Sequence, residues 1–112
     1  MDKQIKTEWV EALRSGEFNQ GRDFLHNTAM ETYCCLGVLS TIIGKDDTRW
    51  DGEKWHSHHA DETELDVFSG TIPSRVRNEI HFSRCEQRTV IDMNDTAKAS
   101  FNEIADYIEK HF

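Results

Sequence analysis

The chain has 112 residues, 30% of them charged, with a formal net charge of −8 and a mean hydropathy of −0.71. This length provides for one domain with a single modest core, and it excludes a catalytic domain with a separate lid domain. Eleven aromatic residues argue against disorder, and the negative charge opposes direct binding to nucleic acid or to an anionic membrane.

The N-terminal segment and the cysteines indicate the compartment. Residues 1–14 have the pattern of an amphipathic helix rather than a signal peptide, and no apolar run approaches the roughly 18 residues that cross a bilayer. Three cysteines are an odd number, and thiols in chains without an export signal are normally reduced. We therefore expect a soluble intracellular protein without a disulfide framework.

The first part of the chain predicts a helix, a hairpin and a second helix. Residues 2–15 carry apolar side chains at helical spacing and are followed by Gly16, where a left-handed cap is expected. Aromatic residues around a turn-like sequence predict a short hairpin over residues 23–34. A helical pattern then runs over residues 35–43, ends at Gly44 and predicts a buried central helix.

The middle of the chain predicts a second small hairpin and a loop. Trp50 and Trp55 flank Asp51-Gly52, a dipeptide whose preference for positive φ suits a tight turn. Residues 56–70 show no sustained periodicity and are expected to form a surface loop.

The last part of the chain predicts helices. Pro73 suits the first turn of a helix that carries Val76 and Ile80. Ser83 and Glu86 have the spacing of a capping box for a segment that reaches residue 93, for which helix is favoured over strand.

A second capping box, formed by Ser100 and Glu103, starts the clearest helix of the chain, in which apolar residues recur at spacings of three and four. The sequence thus predicts a small α+β fold, mainly helical with one or two short β-hairpins. Residues 1–112 are expected to form a single domain.

Cys34 and Cys35 lie in the least polar stretch of the sequence. Neighbours on a helix point about 100° apart and lack the two-residue gap of usual redox or zinc pairs, so core packing is the favoured interpretation. Metal binding together with a histidine from elsewhere is the alternative.

The histidines of the sequence HSHH, His56, His58 and His59, are candidate ligands for zinc, nickel or copper. Such sites need three or four ligands held by a folded scaffold, which an acidic loop does not guarantee. The favoured interpretation is a solvated loop with incidental metal affinity, and we expect no cofactor.

Negative charge is concentrated between residues 46 and 66. This segment contains eight carboxylates and two basic side chains, so its net charge is −6. Trp50 and Trp55 lie in the same segment and serve either as anchors of an interface or as cover for the core. No nucleophile–base pair, paired carboxylates in a cleft or glycine-rich phosphate loop indicates an enzyme.

Three motifs resemble a group of small uncharacterised bacteriophage proteins. They are WVEALRSG at residues 9–16, YCCLGVL at 33–39 and NDTAKASFNEIADYIE at 94–109, while IPSRV at 72–76 matches a fourth with isoleucine for leucine. The glycine that usually follows the Asn-Asp pair is Thr96 here. The resemblance implies a phage origin and a shared fold, and it carries no established activity or catalytic residue.

We expect a non-enzymatic phage accessory protein that binds and inhibits or redirects a host protein with a basic surface in the host bacterial cytoplasm. The expected target is a nucleic-acid-handling complex or an anti-phage defence complex such as CRISPR. The alternative is a ligand-binding protein, either a sponge for a nucleotide signal or a metal-binding protein that uses HSHH; a small enzyme ranks third. The oligomeric state is left open. The predicted contact residues are Asp46, Asp47, Trp50, Asp51, Glu53, Trp55, Asp61, Glu62, Glu64 and Asp66.

Overall fold

The computed structural model describes residues 1–56 and 67–112, which contain helices and two pairs of very short antiparallel strands. The predicted α+β class, mainly helical with one or two short hairpins, is confirmed. The helices are α1 (Lys3–Arg14), α2 (Cys35–Ile43), α3 (Ser74–Glu79), α4 (Arg84–Ile91) and α5 (Phe101–His111). Strand β1 (His26–Asn27) pairs with β2 (Thr32–Tyr33), and β3 (Trp55–His56) pairs with β4 (Val67–Phe68).

Local capping defines the ends of α1, α4 and α5. The Asp2 side chain accepts a hydrogen bond from the Ile5 amide at 2.9 Å, and Gly16 has the predicted left-handed conformation with φ +76°. Both predicted capping boxes form, at the starts of α4 and α5. Segment 84–91 is therefore helical, as favoured from the sequence, and it continues into one π-helical turn, Asp92–Thr96.

The core is built around α2, whose first six residues are all buried. Helices α1 and α4 pack against it, and α5 packs along α1. Gly37 permits the closest approach in this core, because a side chain there would overlap the carbonyl oxygen of Leu25. Since the first six residues of α2 are buried, packing stabilises this helix more than helix propensity does.

The second hairpin forms at its predicted turn. Trp50 and Trp55 face each other in an antiparallel bridge, and Gly52 has φ +97°. The expectation of a surface loop over 56–70 is wrong at both ends, because His56 belongs to β3 and Val67–Phe68 form its partner strand. A two-residue strand pair is too short to produce a period in the sequence, which is why the pattern did not reveal it.

Within residues 1–56 and 67–112, no helix combines the length and the apolar character needed to cross a membrane.

Candidate functional site

The two tryptophans of the predicted contact surface have different environments. Trp55 is fully buried, and its Nε1–H donates to Ser40 Oγ at 2.7 Å. The ring therefore belongs to the core, which corrects the prediction of Trp55 as a contact residue. Trp50 is half-buried, with its ring centroid 5.3 Å from that of Trp55 and its edge against Gly44.

Asp47 forms an ion pair within the chain, so its carboxylate is not free to bind a partner protein. Arg49 bonds both carboxylate oxygens, at 2.9 and 2.7 Å, and also reaches Glu79 at 2.8 Å. The hydrogen bond from Arg49 holds the pKa of Asp47 below its ordinary value of 3.8, although partial burial opposes this. Through its contact with Glu79, Arg49 links the segment after α2 to α3.

Asp51 organises the turn of the second hairpin. One carboxylate oxygen accepts the amides of Glu53 and Lys54, both at 2.8 Å, and the other lies 2.6 Å from His56 Nε2. Partial burial raises the pKa of Asp51, but the bonds from His56 and the two amides outweigh it and lower the pKa. The carboxylate thus acts within its own turn.

Asp46 lies at the edge of a groove between α1 and the end of α2. Two adjoining cavities of about 360 and 300 Å³ share Glu8, Ile42 and Lys45 in their walls. We call this the acidic groove. Its carboxylates are Asp2, Glu8, Glu11, Glu17 and Asp46, and its apolar walls are Ile5, Ala12, Phe18, Ile42 and Ile43.

Glu53 lies in a different cleft, of about 310 Å³, beside the first hairpin. Phe24 lines this cleft and is half exposed. His26 joins the two hairpins here: its ring stacks on Tyr33 with centroids 4.1 Å apart, and its Nδ1 lies 2.6 Å from the Gly52 carbonyl oxygen.

The remaining acidic candidates, Asp61, Glu62, Glu64 and Asp66, lie outside the described residues, as do His58 and His59. His56 is described and lies against Asp51. In residues 1–56 and 67–112, no group of three or more histidine, cysteine or carboxylate side chains is placed to hold a metal ion.

Cys34 and Cys35 belong to the core, as favoured from the sequence. Cys35 is completely buried, and its Sγ lies 3.5 Å from the Val90 carbonyl oxygen. Burial raises the pKa of the Cys34 thiol to about 11, and it raises the pKa of the Cys35 thiol well above its ordinary value. Burial thus disfavours the thiolate form of both side chains, and the thiolate is the form that acts as a nucleophile.

Asn94 connects the motifs at residues 33–39 and 94–109. Its Oδ1 accepts bonds from Gln20 Nε2 at 3.0 Å and from the Cys35 amide at 3.3 Å. Its Nδ2 donates to the Gly21 carbonyl at 2.9 Å and to Asp95 at 2.7 Å. Because the amide is fully buried and uses both donors, its role is structural.

Sequence reasoning missed the α1 side of the acidic groove. Glu8 and Glu11 are three apart and so share one helix face, but that spacing is also typical of any solvated helix surface. Only the packing of α1 against α2 brings this face beside Asp46.

The fold and these surfaces define a small, mainly helical α+β domain with an acidic groove between two of its helices. Residues 1–112 match a family model described as Domain of unknown function (DUF8296), and the chain belongs to this family. No curated protein and no solved structure gave a significant match.

Proposed function

We propose that the protein is a non-enzymatic accessory protein of phage origin that binds a basic surface of a host protein through the acidic groove. The observation that supports this most directly is the groove itself, which places five carboxylates around apolar walls with Lys45 as the one cation among its lining residues. The phage origin rests on the motif resemblance.

Charge and apolar surface have separate roles in such a contact. Carboxylates around the groove attract a basic partner and speed its association, an effect that salt screens. The half-buried side chains of Ile5, Ile42 and Phe18 offer the apolar contact that slows dissociation. The described acidic residues 46–56 add to this surface mainly through Asp46, because Asp47 and Asp51 already have partners.

The first experiment is an affinity capture from bacterial cells that express the protein, followed by purification of the captured host protein. We expect association with that protein to slow as salt is raised. The variant Glu8→Gln/Glu11→Gln/Asp46→Asn should associate about tenfold more slowly at low salt, and its salt dependence should be flatter.

Two further variants separate the groove from other acidic surface. Glu31→Gln/Asp92→Asn removes exposed charge elsewhere and should bind as the wild type does. Neutralising Asp61, Glu62, Glu64 and Asp66 tests the rest of the predicted acidic segment. An unchanged association rate in the groove variant across the salt series, with folding verified by circular dichroism, would overturn the proposal.

A further inference from the structure

A second groove, beside α4, has the opposite charge. It encloses about 690 Å³, within the range of about 300–1,000 Å³ that is common for small-molecule sites. We call it the arginine groove. Its polar and charged lining includes Arg77, Arg84, Gln87 and Arg88, and its apolar lining includes Phe68, Ile72, Pro73 and Ile91.

Three arginines line this groove. Arg84 and Arg88 are four residues apart on α4, so they project from one face of the helix. Both are exposed; Arg84 has no ion pair with a described residue, and Arg88 lies 3.6 Å from Asp92 in an exposed pair of little strength. Arg77 is held in place by the carbonyls of Ile72 and Phe82, at 3.2 and 3.4 Å.

Gln87 contributes an unused donor to the wall of this groove. The residue is more than nine-tenths buried, and its Oε1 accepts the Ile72 amide at 2.9 Å. Its amide nitrogen makes no hydrogen bond to a described residue, and it is not among the buried polar atoms that lack a partner, so it is open to solvent. This nitrogen is therefore available to donate to a ligand in the groove.

The surrounding sequence has an unusual charge. Residues 72–91 contain four arginines and two glutamates, a net charge of +2, so the rest of the chain carries −10. A long polyanion would meet this negative remainder, whereas a small anion would meet mainly the arginines.

We propose that the arginine groove binds a small phosphorylated ligand with a planar apolar part, of the size of a mononucleotide. Guanidinium groups bind phosphate oxygens in a bidentate manner, and the partly exposed side chains of Phe68 and Ile91 provide a surface for the planar part. This inference is independent of the proposed function, since it concerns a different surface and a different ligand.

Cys85 provides a direct reporter for this site. It lines the groove and is exposed, whereas Cys34 and Cys35 are buried. We therefore expect ATP to slow the modification of Cys85 by a neutral thiol reagent. Pyrophosphate should protect more weakly than ATP, and adenosine or sodium chloride at matched ionic strength should not protect.

Matched variants assign the protection to the arginines. The variant Arg84→Gln/Arg88→Gln should weaken the protection by ATP at least about tenfold, since each charge-assisted contact contributes about a factor of ten or more. Arg75→Gln removes one positive charge from an exposed position that does not line the groove, and ATP should protect Cys85 in this variant as it does in the wild type. Circular dichroism verifies that each variant is folded.

Four results would overturn the proposal. Two concern ATP: millimolar ATP does not protect Cys85, or it protects Cys85 in the Arg84→Gln/Arg88→Gln variant as well as in the wild type. The other two are that sodium chloride or pyrophosphate protects Cys85 of the wild type as well as ATP does. Self-association that is abolished by Arg84→Gln/Arg88→Gln would overturn it too, because the groove would then hold a second copy of the chain. Light scattering with and without ATP measures this.

Discussion

Position in the fold determines the thiol chemistry of the three cysteines, Cys34, Cys35 and Cys85. The first two lie at the buried start of α2, where loss of solvation disfavours the thiolate. Cys85 lies near the start of α4 and is open to solvent.

We predict that a thiol reagent near neutral pH modifies one cysteine per chain rapidly and the other two only on unfolding. Cys85→Ser should remove the fast reaction and leave the two slow ones. The count is measured by absorbance with a chromogenic disulfide reagent, with and without guanidinium chloride. Fast modification of two or three thiols in folded protein would contradict the buried position of Cys34 and Cys35.

The sequence predicted the burial of individual residues best where the neighbouring residues were apolar too. The two cysteines precede Leu36, Val38 and Leu39, and all five side chains are buried as expected. The sequence could not distinguish Trp50 from Trp55, because the two flank the turn symmetrically. Trp55 is the buried one because its ring reaches Ser40, fifteen positions away.

Side-chain hydrogen bonds connect the elements of this fold more than β-sheet hydrogen bonds do. Each strand has only two residues, so the ladders themselves contribute few hydrogen bonds. The start of α2 receives no side-chain cap from its own N-cap residue, and the Cys35 amide bonds to Asn94 instead.

We predict that Asn94→Ala lowers the free energy of unfolding by about 3 kcal/mol, because it leaves the Cys35 amide and the Gly21 carbonyl without partners. Asn94→Asp keeps the acceptor but removes both donors and places a charge beside Asp95, so it should also be destabilised near neutral pH. Asn102→Ala, at an exposed position of α5, is the control. Urea unfolding measures all three, and equal midpoints for the Asn94 and Asn102 variants would refute the capping role.

The helices were predictable because their caps and apolar spacing are local signals, including both Ser-x-x-Glu boxes. The contacts that position them were not. The hydrogen bond from the Cys35 amide to Asn94 Oδ1 spans 59 residues, and no periodicity encodes it.

The whole molecule separates its charges, with the acidic groove on α1 and α2 and the arginine groove beside α4. The net charge predicted an acidic surface, whereas the arginine groove was hidden because glutamates are interspersed among its arginines in the sequence. Grooves form between elements, so their lining depends on packing that composition does not contain.

Stability should fall in acid because Asp47 and Asp51 have lowered pKa values in the folded protein. A carboxylate whose pKa is lowered by folding stabilises the protein at pH values above its ordinary pKa of 3.8. This contribution is lost as the pH falls through the pKa of the folded protein. We predict that Asp47→Asn reduces stability near neutral pH and also reduces the loss of stability below about pH 4. Urea unfolding across pH measures both; an unchanged acid slope in Asp47→Asn would show that the Arg49 pair does not contribute.

The pairing of α1 with α5 determines when this protein can fold during its synthesis. Arg14 reaches Glu109 across 95 residues, and Trp9 lies with its ring centroid 6.3 Å from that of Phe112. A ribosome therefore releases α1 long before α5 exists, and the part of the apolar stripe of α1 that packs on α5 stays uncovered until translation has passed α5. A nascent chain arrested before residue 101 should bind chaperones through α1, and one extended far enough to free residue 112 from the exit tunnel should not.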